Sequence, residues 1–468
     1  MHAICLLLLS AFALPAPASV TATGLPATHV VSAPTDSVVP DKMPLIIVSD
    51  EDVDAPPQWE APKGNADRKT DDGATAAAGT DGRFVAVLPV STTADTVATD
   101  SVSAAIISQL QTLAADSLFL TTQLGLYVYD LTTDTPLFGA GQDQRMRPAS
   151  CQKVVTSVAA LYQLDTDYLY RTRLFTDGAV EDSVLRGNLF LRGGFDPLID
   201  RYDVQALVES LKSHGVSRIE GQVYFDRSLK DTTALGWGWC WDDEETPLTP
   251  LLFNQKPGLE RRFLSALHDA GFVVTDTLRY TTTPRAAELL AERTHTIDQV
   301  LLQMMKESDN LFAESLFYQI GAQAGYPYAD YRRSVTYIKQ FLAQLGIDSN
   351  TYQVADGSGL SLYNYLTPRL LVSVLRYAHS REDIWRHFEP SLPVAGVDGT
   401  LKSRLTGTSG YGNVRAKTGS VTGISSLAGY CTAPNGHTLC FAIINQGVRR
   451  TTIGRAFQDR VCKVLTGE

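Results

Sequence analysis

The chain has 468 residues, 44% hydrophobic and 19% charged, the ordinary balance of a globular protein with room for two or three domains. Its formal net charge is −11, but thirteen acids and five bases between Ser19 and Asp100 supply −8, which leaves −3 for the remainder. That near-neutral remainder gives no basic face for nucleic acid, and no segment after the N-terminus is long and apolar enough to span a bilayer.

Taken in chain order, residues 1–18 form a short apolar run ending Ala16-Pro17-Ala18, which reads as an export signal. Only His2 precedes the run, so an N-terminal membrane anchor is the alternative. Residues 19–102 are rich in Ala, Thr, Asp, Pro and Ser and read as a disordered acidic tether. Helical spacing follows over 104–114, then strand alternation over 124–130, a turn at Thr132-Thr133-Asp134, and a second strand at 136–139. The stretch 150–164 carries an apolar stripe (Val154, Val155, Val158, Ala159, Leu161), and Pro148 favours a chain reversal into its first turn. Between 165 and 292 short strands (171–176, 183–191, 218–225, 273–280) mix with helices (204–213, 259–270). Helices then dominate (297–307, 310–323, 334–345, 368–379). Strands return at 413–418, 425–432 and 438–445, and a helix at 452–465 ends the chain. Helix and sheet are interleaved, with a separate α/β module inserted between 165 and 292.

Three short motifs occur once each, in order. In Ser150-x-x-Lys153 the hydroxyl and amine lie one helical turn apart, so the amine reaches the oxygen. A serine is a poor nucleophile until a base takes its proton, and a buried lysine near other cations has the lowered pKa a base needs. Ser308-Asp309-Asn310 opens a helix. Ser308 fits an N-cap there, or it relays a proton to a leaving group while Asn310 holds a substrate amide. Lys417-Thr418-Gly419 ends a strand. Lys417 and Thr418 suit a substrate carboxylate, Gly419 allows close approach of substrate backbone, and the N–H groups of Ser420 and Ser150 suit an oxyanion. Singly each motif also reads as a surface lysine, a cap or a strand end; the ordered triple carries the weight.

His268, His295, His379, His387 and His437 show no pairing with Ser150, which argues against a Ser-His-Asp triad. Cys151 reads as a small buried hydrophobe. Counting outward from the Asn435-Gly436 turn sets Cys431 opposite Cys440, as a cross-strand disulfide or as two free thiols. No CxxC or His-rich cluster points to metal, and no cofactor is expected.

These motifs and their flanks resemble those of the D-alanyl-D-alanine carboxypeptidase/endopeptidase group of class C low-molecular-mass penicillin-binding proteins. The flanks are Arg147 to Lys153, Gly193-Gly-Phe-Asp-Pro197, Gly236 to Asp243, Ala355 to Leu360, Gly396 to Leu401 and Ala416 to Ser420. The resemblance implies an α+β fold. A β-lactamase/transpeptidase-like domain, an antiparallel sheet flanked by helices plus a helical subdomain, would comprise 103–164 and 293–468, with 165–292 inserted. It implies a serine peptidase acting on peptidoglycan stem peptides and cross-links through an acyl-enzyme on Ser150. Ser150, Lys153, Ser308, Asn310 and Lys417 would be catalytic; Thr418, Gly419, Ser420 and Asp243 would bind substrate. β-Lactams would be covalent inhibitors, and the location would be periplasmic.

For Asp243 a solvated loop acid is the alternative, and Trp237, Trp239 and Trp241 read more simply as packing. Two departures stand out. The nested domain usual in the group is missing or reduced to a loop near 253–258, and Leu362 stands where an Arg often follows the DGSGLS stretch. A β-lactamase, a D-aminopeptidase or esterase, and a non-catalytic wall-binding scaffold are the other readings. The 158 residues from Ser150 to Ser308 argue against the first.

Overall fold

The computed structural model describes residues 100–240, 242–323 and 328–468. The export signal and nearly all of the acidic tether lie outside the described residues. Helix α1 (Ser101–Ala114) begins where the Asp100 carboxylate accepts the Val102 and Ser103 amides, so its first two residues fall inside the stretch read as tether. The expected hairpin follows as β1 (Gln123–Asp130) and β2 (Thr135–Ala140). Ser150 lies in a single 3-10 turn, Ala149–Cys151, that runs into α2 (Gln152–Leu164).

After α2 the chain builds a second body. Its elements are β3 (Leu169–Thr176), β4 (Ala179–Glu181), β5 (Val184–Arg186), β6 (Leu189–Arg192), α3 (Arg201–Ser213), β7 (Arg218–Ile219), β8 (Val223–Asp226), β9 (Leu252–Phe253), β10 (Lys256–Pro257), α4 (Leu259–Asp269), β11 (Arg279–Tyr280) and β12 (Glu288–Thr296). Return to the first body runs through α5 (Ile297–Lys306), α6 (Asn310–Ala322), α7 (Tyr331–Gln344), α8 (Pro368–Ser380), α9 (Glu382–Phe388), β13 (Arg415–Val421), β14 (Ile424–Thr432), β15 (Thr438–Gln446) and α10 (Thr451–Thr466).

The first body is organised on an antiparallel sheet of order β13-β14-β15-β1-β2. Both of its faces are covered, so β14 and β15 are buried at nearly every position. Alternate residues enter two cores. Tyr127, Tyr129, Ala428, Tyr430, Cys440 and Ala442 pack with α2, α5, α6 and α8. Leu126, Val128, Leu427, Cys431, Leu439 and Phe441 pack with α1 and α10. This mixed α+β architecture is the one the sequence implied.

Two expected strands are each broken in two. Residues 183–191 divide into β5 and β6, and 218–225 into β7 and β8; the halves join different sheets, β4-β5-β7 and β11-β8-β6-β3-β12. Glycines make the crossing. A β-carbon on Gly221 would lie 2.0 Å from the Gly187 carbonyl oxygen, and one on Gly178 would lie 2.2 Å from that of Arg186. Strand β12 was not foreseen. It is an edge strand, largely exposed and mostly polar, and it exists because it pairs antiparallel with β3 from Leu169↔Thr296 to Thr176↔Glu288. The chain therefore enters and leaves the second body along one ladder. Of the expected 273–280 strand only Arg279–Tyr280 pairs, parallel to β8.

The hairpin β14–β15 corrects the cysteine register. Its loop spans Ala433 to His437 with Gly436 left-handed (φ 82°), so Cys431 pairs with Leu439 and Tyr430 with Cys440. One residue of offset sends the two thiols to opposite faces of the sheet. They lie in separate cores and all five described cysteines are free.

Candidate active site

The Ser150 turn, the start of α6, the 355–364 loop and β13 converge on one point. Lys153 is fully buried on the first turn of α2. Its Nζ donates to Ser150 Oγ at 3.1 Å, Asn310 Oδ1 at 2.7 Å and the Ser358 carbonyl at 2.9 Å. These acceptors are a hydroxyl, an amide oxygen and a backbone carbonyl; none is a carboxylate. Burial therefore dominates and brings the Lys153 amine down to about 8, against the opposing pull of Asp356, Glu314, Asp309 and Glu245. A second buried amine lies across the site. Lys417 Nζ donates to Ser308 Oγ at 2.8 Å and to the Thr418 carbonyl at 2.7 Å. Burial first, then the charge of Lys153, hold Lys417 well below the usual lysine range.

Backbone strain aims the hydroxyls. Ser308 has φ 63° and Ala149 φ 47°, left-handed conformations that cost a non-glycine residue about 1–2 kcal/mol. The cap of α6 is Asp309, whose carboxylate accepts the Phe312 amide, and not Ser308 as the sequence suggested. Ser308 is turned instead toward Lys417. Gly419 lies where β13 passes the nucleophile turn: a β-carbon there would meet Ser426 Oγ at 2.2 Å and the Ser150 nitrogen at 3.0 Å. Ser426 Oγ donates to the Pro148 carbonyl at 2.6 Å, and Cys151 Sγ to the Lys417 carbonyl at 3.2 Å, tying the turn to β13 and β14. Thr418 Oγ1 donates to Thr400 Oγ1 at 2.8 Å, and Ser420 is exposed beside Arg455 at 3.3 Å.

The structure thus brings Ser150, Lys153, Ser308, Asn310, Lys417, Thr418 and Gly419 together, with Ser420 next along β13. The Asp243 carboxylate closes a local turn by accepting the Cys240 amide at 2.7 Å. Glu245, two residues on, is the acid that reaches the site, accepting Asn310 Nδ2 at 2.6 Å. The acidic run 242–245 was its only signal in the sequence. Trp239 Nε1 donates to Asp356 at 2.9 Å and Trp237 stacks on Tyr331 at 5.2 Å, while Trp241 lies outside the described residues. Leu362 is 39% exposed.

A buried amine of lowered pKa against a serine hydroxyl, at the edge of a helix-flanked antiparallel sheet, defines the class of serine hydrolases that work through an acyl-enzyme. The model of the D-Ala-D-Ala carboxypeptidase 3 (S13) family matches residues 106–257 and 252–466, and the chain belongs to that family. The two matched segments overlap at the β9–β10 hairpin, whose two-residue turn Asn254-Gln255 lies in the stretch where the sequence implies a nested domain missing or reduced to a loop.

Among curated relatives the chain is similar to D-alanyl-D-alanine carboxypeptidase DacB of Haemophilus influenzae, 28% identical over 381 residues, 63% of this chain and 79% of that one. It is also similar to Carboxypeptidase DacB of Mycolicibacterium smegmatis, 30% identical over 372 residues, 72% of this chain and 79% of that one. The crystal structure of penicillin binding protein 4 (dacB) from Haemophilus influenzae shares the fold, with a TM-score of 0.68 and 23% identity over 76% of this chain and 97% of that one. The same protein has been solved complexed with a β-lactam, with a TM-score of 0.63, 24% identity and the same coverage.

Proposed function

We propose that the protein is a serine D,D-peptidase of the periplasm. It removes the terminal D-Ala of peptidoglycan stem peptides and cleaves D-amino-acid cross-links, with β-lactams as covalent inhibitors. The nucleophile-bearing domain is 103–164 with 293–468, and the inserted domain is 165–292. What supports the reading most is the buried Lys153 amine, 3.1 Å from Ser150 Oγ and brought down to about 8 by desolvation.

In this mechanism Lys153 takes the Ser150 proton as Oγ attacks the penultimate D-Ala carbonyl carbon. The resulting ammonium has three protons and three acceptors in place: Ser150 Oγ, Asn310 Oδ1 and the Ser358 carbonyl. The N–H groups of Ser150 and Ser420 face the developing oxyanion. Ser308, held by Lys417, gives its proton to the departing D-Ala nitrogen as the C–N bond breaks. The proton held by Lys153 replaces it, so the net transfer is from Ser150 to the leaving amine. Water then attacks the ester carbon with Lys153 again as base, and Ser150 leaves with a proton. The C-terminal carboxylate of the substrate lies against Thr418 and Lys417, where its charge favours the ammonium form of Lys417. Asp243 borders the side-chain end of the stem peptide.

The test is release of D-Ala from a stem pentapeptide ending in D-Ala-D-Ala. The wild-type protein releases it and Ser150→Ala does not. Release by Ser150→Ala at the wild-type rate would refute the assignment.

A further inference from the structure

Beneath Lys153 lies a second carboxyl that this chemistry does not use. Glu314 is fully buried on α6, one helical turn after Asn310. Its Oε1 accepts the Gly357 amide at 3.1 Å and the Ser358 amide at 2.8 Å. Its Oε2 is buried with no hydrogen-bond partner among the described residues. The Ser358 peptide is thus gripped on both sides, its N–H by Glu314 and its carbonyl by Lys153 Nζ. The segment has other ties as well, but none among the described residues to the Ser358 N–H or carbonyl. Gly357 has no room for a side chain, since a β-carbon would meet the Ala313 carbonyl oxygen at 2.6 Å, and its own carbonyl accepts Thr156 Oγ1 at 2.7 Å.

The neighbouring Asp356 is 1% exposed but differs in its surroundings. It accepts from Trp239 Nε1, Ser358 Oγ, the Gly359 and Ser361 amides and Asn364 Nδ2, so both of its oxygens are satisfied. A lone pair left empty in a buried carboxyl is costly.

We propose that Glu314 is a positioning residue for the general base: through the Ser358 peptide it fixes an acceptor of the Lys153 ammonium, and through its charge it sets the pH at which Lys153 becomes a free amine. The proposal rests on the reading of Lys153 as the base. Coulomb coupling runs both ways in the cluster. Burial, then the charge of Asp356, raise the Glu314 carboxyl to about 8, while Lys153 pulls it down. Each charge acts on the other, so the two groups titrate as a pair. The other charged or titratable groups facing the pair are Asp356, Asp309 and Glu245 on the acid side, Lys417 and Lys230 on the basic side, and the Cys151 thiol and the Tyr318 hydroxyl.

The experiment is the rate of acylation of the full chain by a fluorescent penicillin between pH 5 and 10, for wild type, E314Q, E314D and K153A. Where Glu314 is ionised, near and above pH 8, its charge stabilises the Lys153 ammonium, and E314Q removes that stabiliser. The acid limb of the E314Q profile therefore moves to lower pH by about one unit. E314D keeps the charge but withdraws the carboxylate from the Ser358 amide; its limb stays near that of wild type while its plateau falls. A merely structural role moves plateaus and leaves limbs in place, so an E314Q limb coinciding with wild type overturns the proposal. Should E314Q fail to fold, an E314D limb displaced from wild type by a full unit or more overturns it. K153A separates the two ideas: full acylation by K153A refutes the base itself, whereas a silent K153A with an unmoved E314Q limb refutes only the role of Glu314.

Discussion

Asn310 links the base to the second body of the protein. Its Oδ1 accepts Lys153 Nζ at 2.7 Å and its Nδ2 donates to Glu245 at 2.6 Å. The bond to Lys153 strengthens when the amine becomes an ammonium, so it is worth more in the transition state than in the ground state. A hydrogen bond to a charged group contributes about 1.5–3 kcal/mol, and about 1.36 kcal/mol is a factor of ten in rate. Asn310→Ala is therefore expected to slow acylation about 10- to 150-fold at its plateau. The same variant removes an acceptor that favours the ammonium, so Lys153 loses its proton more readily and the acid limb moves to lower pH. Asn310→Asp does the reverse, since a carboxylate in the same place favours the ammonium and carries the limb to higher pH. Stopped-flow acylation with a fluorescent penicillin from pH 5 to 10 reads both effects. Limbs that coincide in the two variants, or an Asn310→Ala plateau equal to wild type, would refute the reasoning.

Three further outcomes follow from the packing. Gly359 has φ 86°, and a β-carbon there would lie 1.9 Å from the Ala149 carbonyl oxygen; Gly359→Ala should cost about 2–4 kcal/mol and lower Tm by several degrees, and an unchanged melt would contradict the close approach. His295 Nδ1 bonds Asp196 at 2.7 Å, and that bond raises the imidazole above its ordinary value. The stability it supplies is complete below the unfolded pKa of about 6.5 and is lost as pH rises through the folded value. His295→Gln should therefore destabilise the protein more at pH 5 than at pH 8.5 in urea titrations, and an equal loss at both would remove the ion pair. Because Cys431 and Cys440 lie on opposite faces of the sheet, reductant should leave Tm unchanged; a drop would restore the disulfide.

Much of the site was legible because each motif is a local device. Ser150 and Lys153 are one turn apart on a helix whose apolar stripe is plain, and Lys417 to Gly419 lie in β13, which runs on past the point where the sequence ended the strand. The architecture was legible where apolar runs form strands buried on both faces, as in β1, β14 and β15. It failed where pairing, not propensity, makes the element. Polar β12 is a strand only because β3 lies beside it, and the two broken strands look continuous until Gly178, Gly187 and Gly221 meet in space. The cysteine register turned on loop length, five residues and not two. Glu245 and Glu314 were missed for a different reason. Each is one ordinary acid whose role depends on which backbone amide or side chain the fold brings to it, and neither Asn310 nor Ser358 is near Glu245 or Glu314 in a way that spacing alone marks as chemical.

The central claim is that Ser150 is an acylated nucleophile activated by Lys153. Intact mass of the purified protein after brief exposure to benzylpenicillin tests it most directly, with Ser150→Ala and Lys153→Ala alongside. The account predicts one persistent adduct of the drug's mass on wild type and none on either variant. An adduct on Ser150→Ala, or wild-type labelling of Lys153→Ala, would contradict it.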